Sequence, residues 1–495
     1  MLEKIIDKTN EYIERMSKKE RKKYGQFFTS SETATYMANL FDIPLESSTL
    51  RLLDPGAGTG ILICALIERL NTINQINRIE ITCYENDENV LSLLEENLDY
   101  IKTNSTIELT YEIIDKNYIT SQETDYNNMI GANADPIKYD MVIGNPPYMK
   151  LPKDAPEAKA MPNICYGSPN SYFLFIAMSL FNLKDNAEMV YIVPRSWTSG
   201  AYFKQFREYL LTNGILSNVH LFVSRKDVFD KEDVLQETII IKVKKTHKKI
   251  DTASITTTQS NKDFKNITTF KIPYDGLIDN NYVYLPANEN ELKVVEYVHR
   301  WNKTLPDLGF KMKTGLTVDF RNRELLASED SDDRVPLFFS QHIKNGVVSF
   351  PIGKDNEYIE TSYKGLIQKN KNYLFVKRFT SKEEHKRLQC GIYLNKNLPK
   401  YDVISTQNKI NFIDGVSVKM SECIVYGLYV IFNSTLYDTY YRILNGSTQV
   451  NSTEINSIPV PDIDIIENMG RKLMKLNDLS EVVCNNILEE FYGKN

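Results

Sequence analysis

From Arg51 to Lys245 the chain alternates short apolar runs with longer stretches of 3.6-residue period, and this alternation narrows the fold more than any other feature. "RLLDPG" (51–56) reads as a strand running into glycines, "ILICALIERLN" (61–71) as a helix and "IEITCYEND" (79–87) as a second strand. The rhythm continues through "ENVLSLLEENLDYI" (helix), "IELTYEIID" and "YDMVIGN" (strands), "SYFLFIAMSLFNL" (helix) and "AEMVYIVP" (strand). It closes with "YFKQFREYLLTNG" (helix), "LSNVHLFV" and "ETIIIKVKK" (strands). Strands separated by helices of this length are joined by right-handed crossovers, which gives a largely parallel sheet with helices on both faces. The expected class is α/β, a doubly wound, Rossmann-like domain. Beyond it, "THKKIDTASITTTQSNKDFKN" (246–266) is polar and without period, and the strands that follow are short and irregular. The expected organisation is a helical segment over 1–22, a catalytic domain over 23–245, a linker over 246–266 and a mixed α+β domain over 267–495. "MGRKLMKLNDLSEVVCNNILEEFY" (469–492) reads as one closing amphipathic helix.

A chain of 495 residues is too long for one core, and 42% hydrophobic with 25% charged residues excludes extensive disorder. The amphipathic start "MLEKIIDKTNEYIERMSKKERKKYG" has no apolar leader core. No later segment approaches the ~20 uninterrupted apolar residues of a membrane span, so a cytoplasmic location is expected. The six cysteines are far apart, with no C-x-x-C pair, and read as small core residues; no metal is expected. A net charge of −6 argues against a nucleic-acid partner only if charge is evenly spread. It is not: between 364 and 400 lie Lys369, Lys371, Lys377, Arg378, Lys382, Lys386, Arg387 and Lys396, against Glu383 and Glu384. A solvated charged face also fits any one such run.

Three acids stand at successive strand ends. Asp54 precedes Pro55, Gly56, Ala57, Gly58 and Gly60, a turn that lets backbone approach a ligand at the carboxyl edge of a parallel sheet. The spacing is G-x-G-x-G after an acid, not the G-x-G-x-x-G that seats a pyrophosphate, and it favours a ligand with a positively charged amino-acid end. Glu85, followed by Asn86, is placed to accept from ribose hydroxyls. Asp115, after the third strand, could accept from an adenine amino group. Each acid alone is an ordinary polar strand end; together, beside one glycine turn, they describe a site. In "GNPPYMKL" (144–151) the prolines hold Asn145 and Pro146 in extended backbone and leave their acceptors available, although alone the stretch also fits a rigid turn.

In this order and at these spacings the motifs resemble the AdoMet-dependent N6-adenine DNA methyltransferases of the gamma order, whose cofactor motifs precede the catalytic one. "KYGQFFTSSETATYMANLF" (23–41) is similar to their N-terminal cofactor motif. "AEMVYIVPRSWTSG" (187–200) and "VFDKEDVLQETIIIKVKK" (228–245) are similar to later core motifs. The resemblance implies S-adenosyl-L-methionine (AdoMet) as cofactor, held by Phe27, Phe28, Thr29, Asp54, Pro55, Gly56, Ala57, Gly58, Gly60, Glu85, Asn86, Asp115 and Asn145. It implies a catalytic set of Asn145, Pro146, Pro147 and Tyr148, with Phe229 on the opposite face of the base. An adenine N6 amine is a weak nucleophile because its lone pair is delocalised into the ring. Two acceptors aimed at its N–H groups would release that pair, and a duplex base must be flipped out to reach them.

The second half carries "TGLTVDFRNRELL" (314–326), "PLFFSQHIKNGVVSFP" (336–351), "NYLFVKRFTSKEEHKRL" (372–388) and "LNGSTQVNSTEINSIPVP" (444–461). These are similar to the target-recognition half of the BsuBI/PstI-type restriction-modification methylases. The resemblance implies site-specific methylation of double-stranded DNA, with Arg321, Arg323, Lys377, Arg378, Lys386 and Arg387 as DNA contacts. Glutamine-N5 methylation of a protein, RNA adenine methylation and a non-catalytic specificity module are the competing readings. No acid-acid-x-lysine cluster stands out, so a cognate restriction endonuclease is expected as a separate protein. A monomer suffices for the reaction.

Overall fold

The computed structural model describes residues 1–15, 17, 29–44, 48–128, 137–223, 237–381 and 383–492. The chain forms two compact units, Met1–Ala287 and Asn288–Asn495.

The first unit is built on a nine-stranded sheet. Its strands are β1 (Thr49–Asp54), β2 (Arg78–Tyr84), β3 (Glu108–Ile114), β4 (Tyr139–Gly144), β5 (Leu183–Pro194), β6 (Ile215–Phe222), β7 (Thr238–Lys244), β8 (Thr252–Thr258) and β9 (Thr268–Pro273). Their order across the sheet is β3-β2-β1-β4-β5-β7-β6-β8-β9. The first five run parallel, and β7 enters antiparallel between β5 and β6. The expected α/β architecture is therefore present, and every strand and helix expected between 51 and 245 forms. Helix Ile61–Leu70 is apolar on nearly all sides because it is covered on nearly all sides. The sheet lies below it, and helices Leu2–Arg15 and Ser31–Asn39 pack above. Each fully buried leucine or isoleucine there contributes about 1.5–3 kcal/mol.

Two expected boundaries are corrected. The segment 246–266 is not a linker: β8 pairs parallel with β6, and β9 pairs antiparallel with β8. Threonine made this stretch look unstructured, yet its β-branched side chain suits a strand. Thr256 and Thr258 also place their hydroxyls 3.0 and 3.1 Å from the ring nitrogens of buried His220. Nor is the N-terminal helix a separate segment. Leu2 and Ile5 enter the core, and the Thr9 hydroxyl lies 2.7 Å from that of Thr59 inside the glycine turn.

The second unit holds a six-stranded and a five-stranded sheet of short, mostly antiparallel strands, with helices Glu422–Phe432, Thr435–Leu444, Ile463–Leu476 and Glu481–Tyr492. The expected single helix over 469–492 is two. Asn477 adopts φ 51°, a left-handed conformation that asparagine tolerates and that ends a helix. The Ser480 hydroxyl then accepts from the Val483 N–H at 3.4 Å to start the next.

Candidate active site

β1, β2 and β4 end side by side, and one pocket opens along their carboxyl ends. Its wall includes Thr29, Pro55, Gly56, Ala57, Gly58, Glu85, Asn86, Asn145 and Pro147, which brings together most of the sequence-predicted site. Gly60 does not line it; with φ 84° it turns the chain into helix Ile61–Leu70, a conformation costly to any residue with a Cβ.

Glu85 ties the glycine turn to the end of β2. Its Oε2 accepts from the Gly58 N–H at 2.9 Å, and its Oε1 accepts from the Asn86 and Asp87 N–H groups, both at 2.9 Å. Burial raises its pKa, and those three N–H groups pull it back. Asp54 is wholly buried at the end of β1. Its Oδ1 accepts from the Gly56 N–H at 3.3 Å, whereas Oδ2 has no hydrogen-bond partner among the described residues. Burial, with a smaller push from Glu85, lifts the Asp54 pKa to about 8. A buried carboxylate oxygen without a donor is costly unless a cation or donor arrives with a ligand.

β4 delivers Asn145. Gly144 at its end is packed so closely on the Tyr191 ring that a Cβ would come within 2.7 Å of it. The Asn145 Nδ2 donates to the Thr29 hydroxyl at 3.0 Å. The Tyr148 hydroxyl lies 2.8 Å from Asn145 Oδ1 and 3.0 Å from the Ile192 carbonyl, so its one proton is shared between two acceptors. Ser171, opening helix Ser171–Asn182, donates to the Pro147 carbonyl and accepts from the Met149 N–H at 3.1 Å. Among the described residues nothing donates to the Pro146 carbonyl. The loop is thus braced on both sides of an unclaimed acceptor.

Several expected site residues fall elsewhere. Asp115 is exposed and does not line the pocket, because β3 stops at Ile114 and the following turn carries the carboxylate outward. Lys116, Asn117, Tyr118 and Ile119 line that end instead. Asn117 is held there by accepting from the Ile119 and Thr120 N–H groups and by donating to Glu157 at 2.8 Å. Tyr84 and Phe175 add apolar wall that strand and helix patterns alone did not single out. Phe27, Phe28 and Phe229 lie outside the described residues.

Of the six basic residues expected on DNA, Arg321 and Arg323 are exposed and Lys377 is half-buried. Arg378 is half-buried, with Nη1 donating to the Asn408 carbonyl at 3.0 Å. Arg387 is a correction: it is fully buried, donating from Nε to Thr380 Oγ1 at 3.2 Å and from Nη2 to the Ser447 carbonyl at 2.8 Å. Its charge organises the loop around Ser447 from within. Lys386 is a second one. Its ammonium donates to Asn433 Oδ1 at 2.9 Å, lies 3.6 Å from Glu481, and is only 13% exposed.

The pocket fits AdoMet. Glu85 suits a ribose and Tyr84, Ile119 and Phe175 suit an apolar base, whereas Asp54, with its orphaned oxygen, is fully buried and does not itself line the pocket. A parallel-rich sheet with antiparallel β7 and such a pocket at its carboxyl edge defines the Rossmann-like methyltransferases. Residues 65–229 match the Eco57I restriction-modification methylase family. The type II methyltransferase M.PstI of Providencia stuartii is 32% identical over 92% of this chain and 90% of its own. M.BsuBI of Bacillus subtilis is 30% identical over 95% and 94%. The solved structure of the type IIL restriction-modification enzyme MmeI in complex with DNA shares the fold, with a TM-score of 0.58, 13% identity and coverage of 97% of this chain and 78% of that one. The chain belongs to the type II restriction-modification DNA methyltransferases, and its cofactor is AdoMet. Membership decides against the protein-glutamine, RNA and non-catalytic readings. No helix among the described residues is long and apolar enough to cross a membrane.

Proposed function

We propose that the enzyme methylates N6 of an adenine flipped out of duplex DNA, with the Asn145 Oδ1 and the Pro146 carbonyl accepting from the target amine. One observation carries this reading: Asn145 lines the same pocket as the glycine turn and Glu85, its amide is held from both ends, and the carbonyl beside it is unclaimed. Bound AdoMet supplies an electrophilic methyl on a good leaving group. What the chain must add is position and a pair of fixed dipoles, and neither needs a strong base or a metal. As hydrogen bonds draw the amine towards a tetrahedral shape, its lone pair leaves the ring and becomes available. Thr29, Asp54, Gly56, Gly58 and Glu85 hold the cofactor, joined in this reading by Phe27 and Phe28. Tyr148 and Phe229 enclose the flipped base, and Arg321, Arg323, Lys377 and Arg378 meet the duplex. The cognate endonuclease is a separate chain, and the methyltransferase acts as a monomer.

The test is the identity of the product. Duplex DNA incubated with methyl-labelled AdoMet, digested to nucleosides and separated, should carry all label on N6-methyladenine. Label on cytosine would overturn the base assignment.

Thr29 has a second part in this scheme, because its hydroxyl fixes which end of the Asn145 amide faces the substrate. Thr29→Val is expected to lower kcat about tenfold, the order of one neutral hydrogen bond, and to raise the KM for AdoMet less. Thr29→Ser should restore most of the rate. A raised KM for AdoMet with unchanged kcat in Thr29→Val would assign Thr29 to the cofactor alone.

A further inference from the structure

Among the described residues only two phenylalanines are exposed, Phe320 at 61% and Phe379 at 47%, and both belong to the second unit. Each adjoins an arginine whose guanidinium lies against its ring. Arg321 is 5.6 Å from the Phe320 centroid, and Arg378 is 5.5 Å from that of Phe379. The two pairs are far apart in sequence, yet one turn holds both. From one side the Asn408 N–H donates to the Thr317 carbonyl at 2.8 Å and Gln407 Nε2 donates to Asp319 at 2.7 Å. From the other, the Arg378 N–H donates to the Lys409 carbonyl and its Nη1 to the Asn408 carbonyl, both at 3.0 Å. Phe320 rides on the single 3-10 turn Asp319–Arg321. Phe379 is bridged to Gln449, and the Val450 N–H donates to the Arg378 carbonyl at 2.7 Å.

Single exposed apolar residues are ordinary on any surface. Two rings, each beside a cation and both mounted on braced backbone around one turn, are a repeated arrangement. Lys409 and Arg323 on the same segments are exposed, and no hydrogen bond or ion pair engages the Arg323 side chain among the described residues. Of the acids on these segments, Asp319 already accepts from Gln407, which leaves Glu324 against Arg321, Arg323, Arg378 and Lys409. The patch is therefore cationic with aromatic faces. Nucleic acid is the partner that offers phosphates to the first and flat bases to the second.

We propose that Phe320 and Phe379 are stacking wedges that press against base steps of the DNA, while Arg321 and Arg323 take the flanking phosphates. The proposal rests on the reading that the second unit binds DNA, and adds to it a contact that is apolar and independent of salt. Inserted rings unstack a base step at some cost and repay it with a closer fit of protein on the duplex.

The experiment measures affinity of the full chain, with AdoMet present, for a DNA duplex that the wild type methylates, over a series of salt concentrations. Phe320→Ala with Phe379→Ala should weaken binding about tenfold to a hundredfold and leave the slope of log K against log salt unchanged. Arg321→Ala with Arg323→Ala should instead flatten that slope by about one to two. Phe320→Trp should keep the affinity, and its emission should be quenched on DNA addition as the indole stacks. If the phenylalanine variant binds within twofold of wild type while the arginine variant weakens, the wedges are wrong and DNA binding by this unit stands. If neither variant changes affinity, the DNA reading of this surface falls as well. Unchanged tryptophan emission would also overturn the wedge.

Discussion

Asn145→Ala is expected to lower the turnover number for DNA methylation about 10²–10³-fold, the effect of removing one preorganised dipole from a developing charge. The alanine cannot accept from the target amine, and it also frees Thr29 and Tyr148 from the amide they hold. AdoMet affinity should stay within about fivefold, because the carboxylates and glycine turn assigned to the cofactor in this reading are untouched and one lost neutral contact costs ~1 kcal/mol or less. Asn145→Asp keeps an acceptor oxygen and should retain more activity than alanine, although the added charge disturbs the pocket. The substrate offers a further check. Placing the target adenine in a mismatch lowers the cost of flipping and should tighten DNA binding by wild type and variant alike. It should not restore the alanine variant, whose defect follows flipping. Turnover within tenfold of wild type for Asn145→Ala would remove the acceptor pair from the mechanism.

The parts of this site that could be read from sequence are those whose chemistry is set locally. Asp54 and Glu85 stand at the ends of apolar strands, and a parallel sheet brings the carboxyl ends of neighbouring strands together whatever its other details. Asn145 was legible for the same reason, reinforced by prolines that narrow its backbone. Asp115 failed because a strand end fixes position only to within a residue or two. The chain turns after Ile114, and the pocket takes Asn117 instead. Arg387 failed for a different reason. A basic residue in a basic run carries no mark of burial, and its partners Thr380 and Ser447 are brought to it by tertiary folding. β8 was hidden by composition, since threonine is polar by count and strand-forming by shape. The N-terminal helix shows the same limit: its amphipathic face was visible, but that it closes over the glycine turn through Thr9 and Thr59 depends on packing.

The second large effect concerns pH. Asp54 is buried with one oxygen unpartnered and a pKa lifted to about 8, so below that pH the carboxyl of the cofactor-free enzyme carries a proton. In the proposed reading Asp54 pairs with the cofactor's cationic end, which favours the charged form, so its proton leaves as the cofactor binds. Between pH 6.0 and 7.5 AdoMet affinity should therefore rise with pH, by up to tenfold per unit in the limit of one proton released. Stability of the free protein runs the other way. The folded carboxyl holds its proton up to about pH 8, whereas an unfolded aspartate loses it near 4. The folded state thus binds more protons across that window, and this group's contribution is lost as pH rises through it. The thermal shift produced by AdoMet should accordingly grow from pH 6.0 to 7.5. Titration calorimetry in two buffers of different ionisation enthalpy, at pH 6.5, should count close to one proton released per site. Asp54→Asn cannot ionise, so its weaker binding should be flat with pH and independent of buffer. A wild-type enthalpy that does not depend on buffer, together with a flat affinity, would mean that Asp54 is already ionised in the empty pocket. The orphaned oxygen would then have to be satisfied before the cofactor arrives.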